Sequence, residues 1–178
     1  MGLAHGLAGP VALIPAHAGA HRAVDWRYAS RVANDMDCEL CTAPGGDLLW
    51  GDASCRVVRV VDSTAESFPG VCRVVWNRHV AEMSQLALGD ARHFMDVVFA
   101  TERALRRIMQ PDKINLASLG NLVPHLHWHV IPRWRDDSHF PAPIWAAAQR
   151  NVPPHDIGNT DDLRHALSAE LSTVTNPP

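Results

Sequence analysis

Residues 125–131 read His125-Leu126-His127-Trp128-His129-Val130-Ile131, with a histidine at every second position of an otherwise apolar run. Side chains of an extended strand alternate between its two faces. The spacing predicts a strand that turns His125, His127 and His129 to one side. Leu126, Trp128 and Val130 turn to the other, where a core takes them. Imidazole serves neutral-pH nucleophilic, acid/base and metal chemistry better than any other side chain. One strand histidine is usually a packed structural residue, but three in register point to chemistry on that face.

The rest of the chain limits what the chemistry serves. A chain of 178 residues makes one domain, or one domain with extensions. Its net charge of −3 gives no electrostatic case for binding a nucleic-acid polymer. No apolar stretch reaches the ~20 residues of a membrane-spanning helix. Residues 1–20 are rich in Ala and Gly but lack a basic n-region, which argues against a signal peptide. The four cysteines, Cys38, Cys41, Cys55 and Cys72, suggest reduced thiols or a metal site rather than a disulfide framework. A cytoplasmic setting is the resulting expectation.

Residues 1–35 read as an N-terminal extension, with a short helix possible over 25–34 around Trp26. From 36 the pattern is that of a compact α+β domain. Strands are expected over 48–50, 55–61, 71–76 and 113–119, besides the histidine strand. A Ser/Glu/Pro/Gly loop separates the strands over 55–61 and 71–76. A long amphipathic helix is expected from 84–90 to 109, with Phe94, Val97, Val98, Thr101, Leu105 and Ile108 at helical spacing and Pro111 as its stop. A last helix is expected over 161–172, with Thr160 as N-cap and Leu163, Ala166, Leu167 and Leu171 as its apolar stripe. Short turns and one helix between two strand groups predict an antiparallel sheet of about five strands with that helix on one face.

The pattern His-φ-His-φ-His-φ-φ, with φ apolar, is that of the histidine triad (HIT) superfamily, and 125–131 match it throughout. The surroundings are similar too. Lys113 to Asn121 resembles the Asn-bearing strand and Gly-containing approach to the triad. Trp76-Asn77-Arg78-His79 resembles a strand end carrying a basic residue and a histidine. Cys38-Glu39-Leu40-Cys41 resembles the CxxC near the start of many members. The segment 133–145 resembles bacterial members described as diadenosine-tetraphosphate-hydrolase-like. The resemblance covers 36–150, which makes this stretch the HIT domain and 151–178 a C-terminal tail with a short helix. It implies a homodimer.

The resemblance also implies roles. His127 is the nucleophile that attacks an α-phosphorus and forms a nucleotidyl-histidine intermediate. A backbone carbonyl on its own strand fixes its tautomer. His129, if protonated, supports developing negative charge. Asn115 and Asn121 donate to phosphate oxygens, and Asp62 binds ribose hydroxyls. Leu122, Val123 and Pro124 stand where relatives often carry a polar leaving-group helper. The spacing of Cys38 and Cys41 suits two thiolates on one tetrahedral zinc. By resemblance, His79 and His125 complete a closed structural site, while catalysis itself requires no metal. The alternative for this set is two buried thiols and a packed His125. Cys55 and Cys72 read as small core residues.

These expectations describe a nucleotide-binding hydrolase or nucleotidyl transferase acting on a nucleoside-monophosphate conjugate: a dinucleoside polyphosphate, a phosphoramidate or similar. Phosphorylase relatives are usually much longer. Two other classes stay open. One is a metalloprotein whose His125, His127 and His129 bind a metal directly. The other is a non-catalytic nucleotide-binding regulator.

Overall fold

The computed structural model describes residues 37–175. The extension and the helix expected over 25–34 lie outside the described residues. The chain runs α1 (Glu39–Thr42), β1 (Asp47–Gly51), β2 (Cys55–Arg59), α2 (Ser63–Ser67), β3 (Cys72–Trp76), a 3-10 turn (Met83–Gln85), α3 (Leu88–Met109), β4 (Lys113–Ala117), β5 (His127–Arg133) and α4 (Thr160–Thr175). The strands form one sheet in the order β1-β2-β3-β5-β4, with every pair antiparallel. The expected α+β architecture, a five-stranded antiparallel sheet with one long and one C-terminal helix, is present.

Cross-strand partners share a face of a sheet. Trp128 and Val130 on β5, Val74 and Cys72 on β3, and Val57 and Cys55 on β2 face α3 and form the main core with Leu126, Phe94, Val97, Val98 and Leu105. Of the side chains spaced for a helix on α3, Phe94, Val97, Val98, Thr101 and Leu105 are buried and Ile108 is half-buried against the core. Full burial of each large apolar side chain contributes about 1.5–3 kcal/mol. Leu163, Ala166, Leu167 and Leu171 of α4 enter the same core, and Glu170 ties α4 to Arg103 at 2.7 Å.

The opposite face holds the chemistry. There His127 pairs with Val75, His129 with Arg73, and Asn115 with Ile131. Two small apolar clusters flank these residues. Cys38, Leu40, Val58 and Val75 form one; Val60, Phe68, Val71 and Ile131 form the other. Gly46, before β1, has a physical requirement, because a Cβ there would lie 2.2 Å from the carbonyl oxygen of Arg59.

The structure corrects several expected boundaries. The histidine strand begins at His127, not His125, and extends to Arg133. Before it, His125 N–H donates to the Val123 carbonyl and Leu126 N–H to that of Val80, which draws the chain off the regular ladder. Pro132 is accommodated because the β3 register ends at Val130, leaving β4 alone as neighbour. β2 ends at Arg59 and β4 at Ala117. The expected loop after β2 contains α2, whose N-cap is Asp62, its carboxylate accepting from Thr64 N–H. Asn159, not Thr160, caps α4: its side-chain oxygen accepts from Asp161 N–H at 2.9 Å, the bond an N-cap supplies to the second helical residue.

Candidate active site and metal centre

His127 is 7% exposed, and its Nδ1 lies 2.7 Å from the carbonyl oxygen of His125. A carbonyl only accepts, so Nδ1 carries the proton and Nε2 keeps its lone pair. His129 Nε2 lies 3.1 Å from that Nε2. The neutral pair is complete when His129 Nε2–H donates to His127 Nε2. The row thus presents a lone pair on His127 and an N–H on His129 at one place. Burial lowers the pKa of His127, with Arg73 adding to it, against the opposing hydrogen bond to the His125 carbonyl. Burial, His127 and Arg73 push His129 down to about 4. His129 is therefore neutral at pH 7 in the free protein and acts there as a hydrogen-bond donor rather than a cation.

The other expected site residues divide. Asp62 caps α2 and pairs with Arg73 at 3.0 Å. Burial acts to raise its pKa, but the Thr64 hydrogen bonds and the Arg73 charge outweigh that and hold it below the ordinary value. Asn115 lies on the histidine face, two residues before Ala117, which is the partner of His129. Its side-chain oxygen accepts from Arg133 at 2.8 Å, which leaves the amide nitrogen as the group able to donate. Asn121 is exposed on the bend before the triad and is not built into the row.

Cys38, Cys41, His79 and His125 come together as expected. One ligand atom from each lies within 4.8 Å of all the others. His125 Nδ1 is 3.4 Å from both sulfurs, and His79 Nδ1 is 3.3 Å from Cys41 Sγ. Ligands of a tetrahedral zinc with two thiolates and two imidazoles stand about 3.3–3.8 Å apart, so the donor set fits. The partner of His125 Nε2 supports it further. That nitrogen lies 2.6 Å from the Trp76 carbonyl, so it is protonated and Nδ1 presents its lone pair to the cysteines. Metal-binding histidines usually donate their second N–H in this way. Burial lowers the pKa of His125 and keeps it in the neutral form that a ligand needs.

His125, His127 and His129 do not form one ligand cluster among the described residues. The first ring serves the cysteines and the other two serve each other. A single metal bound by all three does not match this arrangement.

Arginines placed by tertiary structure complete the surroundings. Arg56 donates to the Leu40, Ala43 and Pro44 carbonyls and to Asn77, clamping the CxxC loop to β2. Arg133, 2% exposed, binds Asp137 through Nε at 2.7 Å and also holds Asn115 and the Ala142 carbonyl. Arg73 stands across from His129. Their one sequence signal is an arginine at an inward-facing position of an apolar strand.

The HIT domain family model matches residues 48–136, and the chain belongs to that family. Over 78 residues it is 31% identical to an AP-4-A phosphorylase of Mycobacterium tuberculosis, a match covering 40% of this chain and 40% of the relative. The chain thus spans two fifths of the length of that curated relative. A histidine triad protein of Bradyrhizobium japonicum is 28% identical, with a TM-score of 0.55, covering 70% of this chain and 90% of its own. A zinc-bound histidine triad family protein of Mycobacterium smegmatis shares the fold at 17% identity and a TM-score of 0.52, covering 81% of this chain and 99% of its own.

Proposed function

We propose that the protein is a nucleotide hydrolase or nucleotidyl transferase that cleaves at the α-phosphate of a nucleoside-monophosphate conjugate. The observation that carries this reading is the bond from His127 Nδ1–H to the His125 carbonyl, which leaves a lone pair on Nε2 beside His129. In the first step that lone pair forms an N–P bond while the bond from phosphorus to the leaving group breaks. The leaving group departs with the bonding electrons. His129 N–H donates to a phosphate oxygen as negative charge builds there. Asp62 takes the ribose hydroxyls, and Asn115 and Asn121 donate to phosphate oxygens. In the second step the oxygen of water, or of another acceptor, bonds to phosphorus as the N–P bond breaks; the bonding electrons return to His127 Nε2, and the proton of an attacking water leaves to solvent. Dinucleoside polyphosphates and phosphoramidates both carry the required bond.

Cys38, Cys41, His79 and His125 would hold a structural zinc. It would pin the N-terminal loop to the segment entering β5 and lies outside the reaction. The donor geometry supports this, as does the shared fold of the zinc-bound Mycobacterium smegmatis protein. The chain acts as a homodimer in the cytoplasm in this reading. β4 is an open edge of the sheet, available to pair with a second copy. No helix among the described residues is long and apolar enough to cross a membrane. Size-exclusion chromatography with light scattering reads the assembly directly, and a monomeric mass would exclude the dimer.

Turnover of diadenosine tetraphosphate and of an aminoacyl adenosine phosphoramidate, by wild type and His127→Ala, tests the reaction. Turnover of either by wild type, with its loss in the variant, is expected. If wild type turns over neither but binds the nucleotide, the regulator reading takes its place.

A further inference from the structure

Three arginines, Arg56, Arg73 and Arg133, lie on the histidine face by strand register. In Arg56 and Arg133 the Nε and both Nη nitrogens all donate to protein oxygens. Arg73 differs. Its Nη2 pairs with Asp62 at 3.0 Å and its Nη1 reaches the Gly45 carbonyl at 3.4 Å, but its Nε is buried and has no acceptor. Among the described residues, three other buried side-chain nitrogens share this condition: those of Arg59, Trp76 and Trp128. Register places all three on the opposite face, among the core residues. Arg73 alone in this group faces the site.

Its position is also specific. Val58, Arg73, His129 and Ala117 form one row across four strands. The guanidinium extends from that row to Asp62. A nucleotide whose ribose meets Asp62 and whose phosphorus meets His127 must pass over Arg73. Arginine keeps its charge throughout the accessible pH range and donates in a planar fork suited to phosphate.

We propose that Arg73 is a substrate-binding residue whose guanidinium donates to the phosphate of the bound nucleoside monophosphate, between the ribose at Asp62 and the phosphorus at His127. This rests on the reaction proposed above. It adds a fixed positive charge where the two histidines supply neutral groups.

The test is calorimetric binding of AMP and of adenosine to wild type, Arg73→Gln and Arg73→Lys. A phosphate contact weakens AMP binding without an equal effect on adenosine. In Arg73→Gln the preference for AMP over adenosine is expected to fall about ten- to a hundredfold, the range for a charge-assisted hydrogen bond. Arg73→Lys keeps the charge but loses the planar guanidinium fork, and should lose about tenfold of that preference. If Arg73→Gln fails to fold, judged by its thermal melt, the lysine variant decides. An unchanged preference, or equal weakening of both ligands, overturns the role of Arg73 while wild-type binding leaves the proposed function intact. Wild type that binds neither ligand overturns both.

Discussion

The main chain of His125 accepts the Nδ1 proton of His127 at 2.7 Å, while the ring of His125 faces Cys38 and Cys41 at 3.4 Å. One residue thus fixes the tautomer of His127 with its backbone and joins the cysteine–histidine cluster with its side chain. The tautomer of His127 depends on where residue 125 is held. His125 is in turn held by its ring, through the Trp76 carbonyl on one nitrogen and the cysteine pair on the other.

Freshly purified protein should carry close to one zinc per chain. Cys38→Ser and His125→Ala should each reduce this to below about a tenth, because one lost ligand opens a closed four-ligand site. Mass-spectrometric metal analysis measures this, and a chelator should lower the melting temperature of wild type only. Metal-free wild type would remove the zinc centre.

Acid should weaken the fold through His129. Its folded-state value of about 4 lies below the ordinary 6.5. The unfolded chain therefore binds a proton that the folded chain refuses in that window, and stability falls as pH drops through it. His125 and His127 are shifted in the same direction. Urea midpoints should be lower at about pH 5 than at about pH 7.5, and the slope should flatten in His129→Gln. An equal slope in the variant would contradict the neutral, half-buried state of His129.

The Arg133–Asp137 pair is the buried ion pair of the C-terminal segment, with side chains 2% and 7% exposed. Asp137 also accepts from the N–H groups of His139 and Phe140. Asp137→Ala strands a buried guanidinium and should cost about 3–5 kcal/mol in chemical denaturation. Burial acts to raise the Asp137 pKa, but the Arg133 and backbone hydrogen bonds outweigh it and depress the value. Its contribution is present above the ordinary carboxylate range and fades as pH falls through the folded value.

Local patterns made much of this legible. Alternation along 125–131 located the strand and its apolar face, 3.6-residue spacing located α3 and α4, and four ligand residues in family order located the cysteine–histidine cluster. Features decided by distant partners were not legible. His125 leaves the ladder because of Val80, Val123 and Trp76. The surroundings of Arg73 and Arg133 depend on register across β3, β5 and β4. For α2, the signal was Asp62 followed by Ser63 and Thr64, a helix cap within a stretch that reads as loop.

In the proposed reaction His127 becomes covalently nucleotidylated. Intact-protein mass spectrometry after rapid quench with diadenosine tetraphosphate or the phosphoramidate tests it most directly. A transient adduct of one nucleoside monophosphate per chain, mapped to His127 and lost in His127→Ala, is expected. Turnover by wild type with no adduct at any quench time, or an adduct that persists in His127→Ala, would contradict it.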